Sequence, residues 1–208
     1  MLTVMIVDDD PLLCTAMRRK IEMIDRENQL GIQETLIAHS AQEAWGILQE
    51  KSVDILISDI RMPYQTGLEL ADKVNEAFPE IQVVIDLHRD EVDSNAHLIQ
   101  QVGEKTVARY MFFNGLSYTR SAGALEAFPN PYQKENLATS YQLQLASDAL
   151  FPGCARKIYL KGYRYNMHLR PRSILIELGA QNNTEQEAWN SCVLLAKMLD
   201  TVLSYSIR

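Results

Sequence analysis

Two sets of residues in this chain could do chemistry. Asp8, Asp9 and Asp10 follow the apolar run "LTVMIV", and Asp59 closes the apolar run "VDILIS". Residues that end successive strands of a parallel sheet gather at one edge, where such folds hold ligands. If the first and third strands are neighbours, as in a flavodoxin-like order, Asp8, Asp9 and Asp59 converge. Clustered carboxylates repel one another, and a hard divalent cation such as Mg²⁺ relieves that repulsion and would neutralise an incoming phosphoryl group. In the second set, His88 comes just after the apolar stretch "PEIQVVIDL" and Glu177 sits inside "SILIELG". Burying an unpaired carboxylate is costly, so Glu177 is expected to face a cation or a site at the sheet edge.

The elements that must position these residues alternate. "LTVMIV", "IQETLIA" and "VDILISD" read as strands, and "LLCTAMRRKIEMI", "SAQEAWGILQEK" and "TGLELADKVNEAF" as helices. Strand-helix alternation argues for a parallel sheet with helices on both faces. "PEIQVVIDL" supplies a fourth strand, followed by a polar, irregular segment to about Lys105, and "TVARYMFFNG" a fifth. Beyond it lie a helix in "YQKENLATSYQLQLASDAL", a strand candidate "ARKIYLK", the strand "SILIELG" and a last helix from Thr184 to about Ser204, opened by the capping pattern T-E-Q-E.

The 208 residues suffice for one large or two small domains. A formal net charge of −7 argues against a general nucleic-acid surface, and the basic, aromatic "RYNMHLRPR" is short and isolated. The N-terminal apolar run is broken by aspartates, so neither a signal peptide nor a membrane span is expected there, which as written implies a cytoplasmic protein. Cys14, Cys154 and Cys192 form no CxxC pair and are expected to be reduced packing residues. His39 and His97 are expected to be solvated, and Trp45 and Trp189 to pack in the core.

"VMIVDDDPLL" and "ILISDIRMPYQTGLEL" resemble the receiver domain of two-component response regulators, from Leu2 to about Val83. The resemblance implies Asp59 as phosphoacceptor, Asp8 and Asp9 as Mg²⁺ ligands, the Arg61 carbonyl completing the site, and a histidine kinase as partner. The pattern then departs: "VVIDLHRD" lacks the Ser or Thr that ends a receiver's fourth strand, and "VARYMFFNG" lacks the Lys-Pro of its fifth. From about Ile81 to Leu203, "VVIDLHRD", "NPYQKENLATSYQLQ" and "RYNMHLRPRSILIELGAQNNTEQEA" resemble the sporulation stage II protein P family of zinc-dependent N-acetylmuramoyl-L-alanine amidases. That resemblance implies His88 as a Zn²⁺ ligand, Glu177 as the catalytic carboxylate, peptidoglycan fragments as substrate, and a groove lined by Arg89, Asp90, Asn166 and His168. The family's His-Thr-His segment and its upstream glutamate ligand have no counterpart here.

These readings join into one expectation. Residues 1–81 form a truncated receiver-like half and residues 82–208 an amidase-like half, fused at a shared strand into a single composite α/β domain with one parallel sheet. In that sheet the third and fourth strands would be adjacent, making Asp8, Asp9, Asp59 and His88 a mixed carboxylate and imidazole metal site. The competing functions are an amidase with an incomplete zinc site, a phosphoacceptor at Asp59, and a folded chimera with neither activity.

Overall fold

The computed structural model describes residues 2–205, which divide into two compact units between Pro79 and Glu80. The division falls two residues before the expected join.

The first unit alternates β1 (Leu2–Val7), α1 (Pro11–Asn28), β2 (Ile32–Ala38), α2 (Ala41–Glu50), β3 (Ile55–Ser58) and α3 (Gly67–Ala77). Local signals set the helix starts. Asp10 caps α1 by accepting from the Leu12 and Leu13 amides, with Pro11 at the first helical position. Ser40 caps α2, and Thr66 with Glu69 closes a capping box on α3. All strands are parallel in the order β2-β1-β3, with Val7 opposite both Ala38 and Ser58. Because crossovers are right-handed, the α1 and α2 connections, which run in opposite directions from β1, lie on opposite faces. Central β1 is buried from Val4 to Val7, whereas edge strand β3 leaves Ile55 and Ile57 44% and 37% exposed.

The second unit contains β4 (Val84–Asp90), β5 (Ile99–Val102), β6 (Lys105–Ala108), β7 (Tyr110–Gly115), β8 (Tyr118–Thr119), β9 (Gly123–Ala124), α4 (Gln133–Leu150), β10 (Tyr159–Lys161), β11 (Ser173–Ala180) and α5 (Glu185–Tyr205). Its main sheet runs β10-β7-β11-β4, with β11 parallel to β4 and antiparallel to β7, and β10 parallel to β7. One face of this sheet, carrying Tyr110, Phe112, Ile174, Ile176 and Leu178, packs with Leu143 of α4 and Leu194, Leu195 and Met198 of α5. Fully burying each such side chain contributes about 2 kcal/mol.

The α/β class with parallel strands and helices is as expected, but the single continuous sheet is not. β4 belongs to the second sheet and β3 to the first. The eight-residue β11 offers β4 a register from Ser173↔Val84 to Glu177↔His88 and an apolar face, while β3 is only four residues long. The longer partner wins the shared strand. Three local expectations are also corrected. β4 runs on to Asp90, so His88 lies inside it rather than after it. The segment expected to be irregular contains the β5-β6 hairpin, and "TVARYMFFNG" divides into β6 and β7 at Arg109.

Candidate functional site

β4 alternates, so Asp86, His88 and Asp90 share one sheet face. Parallel pairing sets Leu175 beside Asp86 and Glu177 beside His88, and antiparallel pairing sets Met111 and Phe113 on the far side of those two. Thus a row Met111, Glu177, His88 and a second row Phe113, Leu175, Asp86 cross the face opposite the helical core. Met111, Phe113, Leu175 and Met167 form its apolar floor.

The polar groups on this face hold one another. Asp86 contacts the His88 ring through one oxygen and accepts from Asn166 Nδ2 through the other, at 2.6 Å. Arg156 Nη1 donates to Asp90 at 2.5 Å. Glu177 Oε2 is buried with no hydrogen-bond partner. Burial, and next the Asp90 charge, push the Glu177 carboxyl above the usual range, while Arg156 pulls the other way. Glu177 therefore keeps its proton to a higher pH than a solvated glutamate.

Asp86 and Arg156 were not singled out from sequence. The signal for Asp86 was the i, i+2, i+4 pattern Asp86, His88, Asp90, visible once the strand is extended to Asp90. Arg156 reaches the site from the first part of the strand candidate "ARKIYLK", of which only Tyr159–Lys161 forms β10. Arg89 does not line the groove: its guanidinium donates to the carbonyls of Ala180, at 2.6 Å, and Asn183, tying the end of β4 to the turn before α5. His168 Nδ1 lies 3.2 Å from the Tyr165 carbonyl oxygen. His97, expected to be solvated, is partly exposed and contacts Glu187 at 2.8 Å, and Trp189 is 40% exposed. Trp45 meets Phe78 edge-on at 6.4 Å. Cys14 and Cys154 are buried and Cys192 half-buried, all free thiols.

In the first unit, Asp8 and Asp59 end adjacent strands: the Asp8 amide donates to Ala38 and the Asp59 amide to Val7. Their carboxylates bind locally. Asp8 accepts from the Asp10 amide at 2.9 Å and Asp59 from the Arg61 amide at 3.1 Å. Asp9 is exposed beside them. His39 contacts the Asp8 carbonyl at 3.3 Å.

Among the described residues no three His, Cys, Asp or Glu side chains are grouped to hold a metal ion. A catalytic zinc takes three protein ligands, and among the described residues no such group forms around His88. The residues present therefore do not fit the family's zinc centre, nor do Asp8, Asp9 and Asp59 close into a three-carboxylate pocket. The mixed site that would add His88 to them required β3 and β4 to pair, and they lie in separate sheets.

Comparison with known proteins decides the family. The model of Stage II sporulation protein P (SpoIIP) matches residues 36–200. The chain belongs to the SpoIIP family. The match begins within β2, well upstream of the expected join, so it includes much of the receiver-like unit. The chain is also similar to response regulators: 34% identical over 93 residues to the transcriptional regulatory protein MalR of Bacillus subtilis, covering 45% of this chain and 37% of that protein. It is 37% identical over 90 residues to the heme response regulator HssR of Staphylococcus saprophyticus, covering 43% and 37%. It thus spans little more than a third of these relatives. Among solved structures, it is similar to a receiver domain protein from Clostridium thermocellum, at 25% identity and TM-score 0.36, over 42% of this chain and 64% of that one. It is also similar to the N-acetylmuramyl-L-alanine amidase of Mycobacterium abscessus, at 10% identity and TM-score 0.44, over 97% and 98%. A SpoIIP-family chain carrying response-regulator similarity is composite, as its sequence suggests. No helix among the described residues is long and apolar enough to cross a membrane.

Proposed function

We propose that this SpoIIP-family chain binds peptidoglycan fragments on the Glu177 and His88 face and that Glu177 is its acid-base residue toward the muramoyl-L-alanine amide. The register that sets Glu177 beside His88 carries this reading, because it joins on one face two positions matching the amidase motifs. Asp86, itself held by Asn166, orients the imidazole. Glu177, whose carboxyl burial pushes above the usual glutamate range, is suited to protonating the leaving amine. Since the donor set falls short of a zinc centre, no step is assigned to a metal. Muropeptide binding and release by the whole chain test the proposal: Glu177→Gln should retain binding and lose release, and wild-type protein that binds no muropeptide would refute it.

A second reading concerns the first unit alone. Asp59 at the end of β3, with Asp8 at the end of neighbouring β1, supports phosphoryl acceptance from a histidine kinase. Labelling by acetyl phosphate that disappears in Asp59→Asn tests it.

A further inference from the structure

The segment "RKIYLKGYRYNMHLRPR", residues 156–172, carries six Lys or Arg, three Tyr and no acidic residue, in a chain of net charge −7. The structure lays it along the Glu177 face. β10 pairs with β7 so that Tyr159 stands opposite Phe113, extending the row Phe113, Leu175, Asp86 by one strand. At about 4.8 Å per strand, the row from Tyr159 to Asp86 spans about 14 Å.

Three rings gather at its far end. Phe113 and Tyr165 meet edge-on with centroids 4.6 Å apart, and Phe113 and Tyr159 lie 5.4 Å apart. Phe113 is buried, while Tyr159 and Tyr165 remain 43% and 40% exposed. Lys161 Nζ lies 5.4 Å from the Tyr159 ring centre. The platform is built in rather than draped. Leu116 donates to the Lys161 carbonyl at 2.8 Å, and Asn136, fully buried, donates to the Met167 carbonyl at 2.6 Å. Gly115 passes so close under the segment that an added Cβ would lie 2.4 Å from the Tyr163 carbonyl oxygen.

We infer that Tyr159, Tyr165 and Lys161 form a glycan-binding subsite, taking the saccharide strand of peptidoglycan on the same sheet face as Glu177. The inference rests on the reading of that face as peptidoglycan-directed. The electron-rich ring faces attract the weakly polarised C–H faces of a pyranose, and Lys161 supplies a cation for the muramic lactyl carboxylates, which are free wherever the peptide has been removed from the strand. Charge complementarity selects an acidic, ring-bearing polymer. Asp86, Asp90 and Glu177 on the same face disfavour a continuous polyphosphate such as nucleic acid.

The test measures co-sedimentation and titration of the whole chain with peptide-free peptidoglycan glycan strands, intact muropeptides and a single-stranded oligonucleotide. Tyr159→Ala with Tyr165→Ala should weaken glycan binding by about tenfold or more, and Tyr159→Phe should preserve it. Lys161→Glu, at an exposed position, should weaken it as well and carries the test if the double variant does not fold. Glycan binding unaltered by both the tyrosine and lysine changes overturns the subsite, while loss of muropeptide release in Glu177→Gln would still uphold the proposed function. Stronger binding of the oligonucleotide than of glycan also overturns the subsite.

Discussion

At the level of single residues, the proposed chemistry centres on Glu177. Its backbone is fixed between two paired strands, and its acidity answers to burial first and to Asp90 next. Because the folded state holds this proton to higher pH than the unfolded chain does, Glu177 costs stability as pH rises from the ordinary glutamate range through its own raised value. Glu177→Gln should therefore be more stable than wild type at neutral pH, with the difference vanishing in acid, as urea titrations at several pH values would show. If the protonated form is the catalytic one, muropeptide release should decline as pH rises through the same window.

At the level of elements, a few buried polar side chains hold the site-bearing segments. Asn136 of α4 donates to the Met167 carbonyl and accepts from the Ser173 amide at 3.1 Å, locking the aromatic segment to the start of β11. Asn136→Ala would strand both backbone groups in the interior and should cost about 3 kcal/mol in chemical denaturation. Tyr110 is a milder case. Its hydroxyl lies 2.8 Å from Ser147 Oγ and burial pushes its ionisation up to about 12, so Tyr110→Phe should cost about 1 kcal/mol. Helix starts were legible in sequence because capping is local: Asp10, Ser40 and Thr66 sit within three residues of the amides they satisfy. The β5-β6 hairpin was not legible, since its polar residues "IQQVGEKTVA" alternate too weakly to show a buried face.

At the level of the whole molecule, each unit has an edge strand with exposed apolar residues. β3 leaves Ile55 and Ile57 accessible, and β4 leaves Ile85 and Leu87 45% and 53% exposed. Such edges template pairing with further chains unless a charge interrupts them. Leu87→Lys should raise the concentration at which the protein self-associates, measured by light scattering, and leave thermal unfolding nearly unchanged because the side chain is half in solvent already.

The sequence by itself determined the alternating elements, the strand-end positions of Asp8 and Asp59, and the composite character of the chain. These follow from periodicity, caps and motifs, which act over a few residues. Only the tertiary structure decided which sheet would own β4. That choice depended on competition between distant strands: the long, apolar β11 aligns with β4 along most of its length, and the short β3 cannot match it. By taking β4, β11 placed Glu177 beside His88 and removed the basis for a metal site shared with Asp59.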